Sequence, residues 1–147
     1  MKCLYLDVCT LCRPFDDQNI MRNHLEATAF FLILQNIYLK KYKLIVSPVH
    51  EIEVQGIDEI NEKRELMEIF SRFAEKPEWN MKKIRKRAEE LILKKFGPAD
   101  AAHFAFAEAS SDFFITCDDR LLKLCRKLKS NILVLNPVEF CVKEKLK

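Results

Sequence analysis

The stretch LYLDVCTLCRPFDD, residues 4–17, holds an apolar run that ends on an acid, Asp7, followed by a Cys-x-x-Cys at Cys9 and Cys12. The run is too short for a core helix and is bounded by polar residues, so it reads as a buried strand. Three later stretches have the same form: YKLIVS at 42–47, DFFITC at 112–117 and NILVLN at 131–136. Helical patterns lie between them. In 22–41, Ala27, Phe30, Phe31, Leu34, Ile37 and Tyr38 fall on one face; in 61–75, Leu66, Ile69, Phe70 and Phe73 do; in 82–96, Ile84, Ala88, Leu91 and Ile92 do. Gly97 reads as the C-terminal stop of the third pattern, with Pro98 at the first position of the next helix. Leu121, Leu122, Cys125 and Leu128 mark a further helix over 119–129, and a short one follows Asn136–Pro137. Buried strands alternating with helices predict an α/β protein: a central parallel sheet of four to five strands, helices on both faces, three layers in α/β/α order, one domain over 1–147.

Composition narrows the chemistry. A chain of 147 residues can bury a real core. No apolar run approaches the roughly 18 residues of a membrane span, and the acid at position 7 interrupts any signal-peptide core, so a cytoplasmic protein is expected. Six cysteines, at 3, 9, 12, 117, 125 and 141, sit mostly in apolar or periodic segments and read as reduced thiols. Only two glycines occur, which excludes the common Gly-rich nucleotide loops. Three unpaired histidines, at 24, 50 and 103, argue against a zinc hydrolase. The net charge of +3 is uneven, with basic runs at 82–87 and 120–129; such runs are most often solvated helix faces.

The acids fall in a pattern. In open α/β sheets, sites gather outside the carboxyl ends of the strands. Asp7 ends the first strand, and Asp118 and Asp119 follow the third. Asp119, directly before RLLKLCRKL, reads as an N-cap. After the second strand, Ser47 and Pro48 start a helix that carries Glu51 and Glu53. At about 100° per residue these two point to opposite sides. With Val49, Ile52 and Gly56 as the packed face, Glu53 is the inward acid. Asp100 lies in the first turn of the helix opened by Pro98, where the macrodipole favours an anion. Each acid alone has a bland explanation as a cap or a boundary residue; four at one sheet edge do so less economically. Several inward carboxylates require a cation among them, and all-oxygen ligands select Mg²⁺ or Mn²⁺, a combination suited to phosphodiester hydrolysis.

In these pieces the chain resembles the PIN domain family of Mg²⁺/Mn²⁺-dependent nucleases, which includes the VapC-type toxin ribonucleases. The matching pieces are LYLDVCTLCRPF, IVSPVHEIE, GPADAAHFAFA, FFITCDDRLLKL and the final ILVLNPVEF, in that order over essentially the whole chain. The resemblance implies a metal-dependent endoribonuclease whose site is Asp7, Glu53, Asp100 and Asp118, with Asp7, Asp100 and Asp118 on the metal. It also implies a nearby hydroxyl from Thr116 and an occasional extra acid in Asp119. Many members carry Thr-Asn after the first Asp, where this chain has Val8-Cys9; Thr10 is then the next hydroxyl. Arg13, Arg120 and Lys123 are the basic residues nearest the acids in sequence, suited to phosphate contacts. The implied partners are RNA, an antitoxin protein of a type II toxin–antitoxin pair, and a second copy of the chain. Two rivals stay open: a PIN scaffold that binds RNA or protein without turnover, and a thiol protein built on Cys9 and Cys12.

Overall fold

The computed structural model describes residues 1–147. Five strands are present: β1 (Lys2–Leu6), β2 (Tyr42–Ile45), β3 (Ala74–Glu75), β4 (Phe113–Ile115) and β5 (Leu133–Leu135). They form one all-parallel sheet in the order β3-β2-β1-β4-β5. The apolar runs mark four of them. The fifth, β3, is two residues at the sheet edge, too short to show a pattern.

The helices are α1 (Val8–Cys12), α2 (Met21–Tyr38), α3 (Pro48–Gln55), α4 (Ile60–Phe73), α5 (Met81–Leu93), α6 (Pro98–Ser110), α7 (Asp119–Arg126) and α8 (Pro137–Lys143). Strand alternation divides the core into two apolar layers. Leu4, Leu6, Leu44, Val46, Phe113 and Ile115 face one side, with Phe30 and Ile33 of α2, Leu66 of α4 and Phe140 of α8. Tyr5, Ile45, Phe114 and Val134 face the other, with Leu91 of α5, Phe104 of α6 and Leu121 of α7. The architecture is therefore three-layered, α/β/α. No helix is long and apolar enough to cross a membrane.

Three local expectations are corrected. The buried residues of α2 are Glu26, Ala27, Ala29, Phe30, Ile33, Asn36 and Ile37, so Ala27, Phe30 and Ile37 lie inward as expected, whereas Phe31 and Tyr38 are exposed. Ala29, Phe30, Ile33 and Ile37 pack into the first core layer, and Glu26 beside them is paired with Arg13 from the turn before the helix. In α3 the buried residues are His50 and Val54, and Ile52 is exposed. His50 turns inward because its ring closes the helix's capping box and reaches the Leu6 carbonyl. Gly97 does not terminate α5. Lys95 takes the left-handed conformation there, at φ 75°, and Gly97, at φ −64°, is the N-cap of α6.

Candidate functional site

Strands β1 and β4 are neighbours, and the chain runs outward from them on both sides of the sheet. The crevice at their carboxyl ends is thus the topological switch point, where such sheets place their ligands. Asp7 and Asp118 follow these two strands. The Asp7 amide continues the ladder, donating to the Ile115 carbonyl at 2.9 Å.

Asp7 is 6% exposed and tightly held. Oδ1 accepts from the Val8 amide at 2.9 Å, which caps α1. Oδ2 accepts from the Thr116 hydroxyl at 2.8 Å and from the Cys9 thiol at 3.2 Å. Thr116 Oγ1 also accepts from the Asp118 amide at 3.1 Å, so one buried hydroxyl links the two acids. Asp118, not Asp119, is the N-cap of α7: its Oδ1 accepts from the amides of Arg120 and Leu121 at 3.0 and 3.2 Å. Its Oδ2 has no protein partner.

Asp100 stands in the first turn of α6. Burial, then the charges of Asp7 and Asp118, push its carboxyl above the usual range, and Glu53 adds to the effect. Glu53, on α3, gives Oε1 to Nε2 of His103 at 2.7 Å, while Glu51 pairs outward with Lys76. The four acids therefore share one electrostatic neighbourhood. No Lys or Arg pairs with any of them. As placed, they do not close into a ready-made cage: no set of three or more His, Cys, Asp or Glu groups is arranged to hold a metal ion. By chemistry the donor set, carboxylates beside one hydroxyl, still fits a hard divalent cation.

Other sequence candidates are placed elsewhere. Asp119 gives both oxygens to Arg22, at 2.7 and 2.8 Å, and that guanidinium holds its carboxyl below the usual range. It is a tie between α2 and α7. Thr10 is buried and donates to the Ile115 carbonyl at 3.2 Å, so its hydroxyl does not serve the acids. The side chain beside Asp7 at this level is Cys9. Arg13, its side chain 18% exposed, is bound by Asp16, Asn23 and Glu26. Arg120 and Lys123 are exposed and form no ion pair.

The thiols of the Cys-x-x-Cys, Cys9 and Cys12, are poorly suited to nucleophilic work. A hydrogen bond with Cys117, burial and the Asp7 charge all push the Cys9 thiol up. Burial and Glu62 push Cys12 up to about 12. Reactive thiols require the opposite shift.

Sequence reasoning passed over Tyr5, His103 and Arg22. Tyr5 hid in an apolar run. His103 offered one signal, its place one helical turn after Asp100. No protein-family model matches the chain, and no curated protein matches it.

Proposed function

We propose that the chain is a cytoplasmic, metal-dependent endoribonuclease of the PIN type, hydrolysing RNA phosphodiester bonds with Mg²⁺ or Mn²⁺. The observation that carries this reading is geometric: at the switch point one buried hydroxyl, Thr116 Oγ1, joins Asp7 and Asp118, and Asp100 and Glu53 share their neighbourhood. The Asp100 carboxyl is raised by burial and by Asp7 and Asp118, His103 opposes them only in part, and no Lys or Arg pairs with any of the four acids. Titratable groups perturbed by specific neighbours in a sheet-end crevice are the usual mark of a working site.

Asp7, Asp100 and Asp118 would hold the cation. A bound Mg²⁺ or Mn²⁺ would polarise a phosphoryl oxygen and stabilise the leaving oxygen. Asp7 is a preset ligand, because its capping bond and the Thr116 bond leave it no freedom to turn. Asp118 offers Oδ2, since Oδ1 is engaged by the α7 amides. Glu53 keeps Oε2 free, where it would complete the cation's shell directly or through the attacking water, whose proton it would accept. Arg120 and Lys123 would take flanking phosphates, a contact that is salt-dependent and reads no sequence. The toxin ribonucleases are part of the family it resembles, so an antitoxin protein and a second copy of the chain are the partners to seek.

The test is cleavage of a labelled RNA pool with Mn²⁺, with and without EDTA, beside an Asp7→Asn/Asp118→Asn double variant. Asn is as good an N-cap as Asp, so α1 and α7 keep their starts. Cleavage by the wild type alone, abolished by EDTA and retained by Cys9→Ser and Cys12→Ser variants, supports the reading. Equal activity in wild type and double variant sinks it, and RNA bound but uncut by the wild type would make the chain a binding module.

A further inference from the structure

Glu53 is the surface end of a hydrogen-bonded chain that runs into the core. Its Oε1 lies 2.7 Å from His103 Nε2. His103 Nδ1 lies 2.7 Å from the Tyr5 hydroxyl, and that hydroxyl lies 2.7 Å from Ser47 Oγ. Tyr5, His103 and Ser47 are fully buried, and only the Glu53 side chain, 33% exposed, reaches the crevice.

Proton directions along the chain follow from its outer end. A carboxylate can only accept, so His103 Nε2 carries the hydrogen. In the neutral Nε2–H tautomer, Nδ1 is the lone-pair nitrogen and Tyr5 donates to it. The phenol oxygen is left to accept from Ser47. Burial pushes the Tyr5 phenol up, so it remains a donor. His50, whose ring lies 5.0 Å from that of His103, supports the inner end of the chain, its amide donating to Ser47 Oγ at 3.4 Å. Its Nδ1 accepts from the Ser47 amide at 3.0 Å, and its Nε2 donates to the Leu6 carbonyl at 2.6 Å.

Each element in the chain also carries an acid of the crevice. Tyr5 lies in β1, two residues before Asp7, which follows the strand and caps α1. His103 and Asp100 are three apart on α6, one turn from each other. Ser47 caps the helix that carries Glu53. The buried chain thus ties three acid-bearing elements together at fixed spacing, and it occupies one oxygen of Glu53 while leaving the other without a protein partner.

We propose that His103 and Tyr5 are positioning residues for Glu53: they fix the carboxylate through Oε1 so that Oε2 is presented to the Asp7–Asp100–Asp118 crevice. The proposal rests on the nuclease reading for what Glu53 does there. Neighbours of this kind, removed, typically cost roughly 10- to 100-fold in metal affinity or activity.

The experiment uses the full chain as wild type, Glu53→Gln, His103→Leu, His103→Gln, Tyr5→Phe and the His103→Leu/Glu53→Gln double variant, each checked for folding by melting. Three quantities are read: the cleavage rate at saturating RNA, the Mn²⁺ affinity by calorimetry, and the His103 tautomer by nitrogen NMR of the metal-free protein. His103→Leu should lower the saturated rate and the Mn²⁺ affinity by about 10-fold or more, with RNA affinity unchanged. Tyr5→Phe should cost less. His103→Gln, whose amide can both donate to Glu53 and accept from Tyr5, should recover much of the loss. The double variant should be no worse than Glu53→Gln alone, because His103 acts only through Glu53. The ring should show hydrogen at Nε2 in the wild type.

Hydrogen at Nδ1, an unchanged rate in His103→Leu, or losses that multiply in the double variant would overturn the proposal. A wild type that leaves RNA uncut removes the nuclease reading and is a separate result. The positioning claim is then decided by the Mn²⁺ affinity, and an affinity unchanged in His103→Leu ends it. If the leucine variant does not fold, His103→Gln and Tyr5→Phe carry the same comparisons.

Discussion

Asp100 has no hydrogen-bonding partner among the protein's side chains, and its charge is opposed by burial, Asp7 and Asp118 in turn. Its ionised form is therefore a local destabiliser of the cation-free fold. Asp100→Asn should raise the stability of metal-free protein, a gain reduced by water at a half-buried position and by the loss of an anion at the α6 N-terminus, while abolishing RNA cleavage. Chemical denaturation in EDTA checks the first part, and loss of stability would contradict it. His50 has the opposite consequence. Burial, then the neighbouring His103, lower it from 6.5 to about 3. The folded state refuses a proton that the unfolded chain accepts below about pH 6.5. The stability it contributes is full above that pH and is lost as pH falls from 6.5 towards 3, by up to about 1.4 kcal/mol per pH unit. The raised Asp100 carboxyl acts in the other direction, in the carboxylate range, and a His50→Gln variant compared from pH 6.5 to 5 separates the share of His50 from that of the other two histidines. Denaturation midpoints that do not move across that interval would show that His50 takes its proton in the fold.

At the scale of elements, the turn between α5 and α6 illustrates how local rules and packing divide the work. The pattern over 82–96 and the Gly-Pro after it announce one helix ending and another beginning. The chain places the left-handed residue two positions earlier than the glycine, at Lys95, because Phe96 must be buried against the second core layer. Gly97 keeps an ordinary φ, and a Cβ there would meet only Asp100 Oδ2 at 3.8 Å. Lys95→Gly should stabilise the protein by roughly 0.5–1 kcal/mol, since only glycine adopts positive φ without a steric cost. Gly97→Ala should change stability by less than about 0.5 kcal/mol, its gain in chain entropy offsetting a poorer cap. Thermal melting of both variants decides the matter; the reverse ranking would return the stop to Gly97. The pairing of Arg22 with Asp119 is a second example. It joins elements nearly a hundred positions apart in the chain, and no pattern within either helix announces it.

Across the whole molecule, the acids come from four places that are distant in sequence: the end of β1, α3, the start of α6 and the end of β4. A cation shared among them would bind the folded chain and not the unfolded one. Mn²⁺ at about 100 times its dissociation constant should therefore stabilise the protein by about 2.7 kcal/mol, an effect reversed by EDTA and absent from the Asp7→Asn/Asp118→Asn variant. Melting curves with and without Mn²⁺ test this, and an equal rise in both proteins would indicate binding elsewhere. The alternation of strands and helices, the positions of four of the five strands and the placing of Asp7, Asp100 and Asp118 at strand ends or helix starts are determined by the sequence itself. Those features depend on apolar period, Pro and Asp caps and run length, all local properties. Only the tertiary structure decides which sides of α2 and α3 face inward, that Arg13 and Asp119 are already engaged, that Cys9 rather than Thr10 stands beside Asp7, and that Tyr5 and His103 hold Glu53. Each of these is settled by a partner from a remote part of the chain, and a buried polar group turns to wherever such a partner can satisfy it.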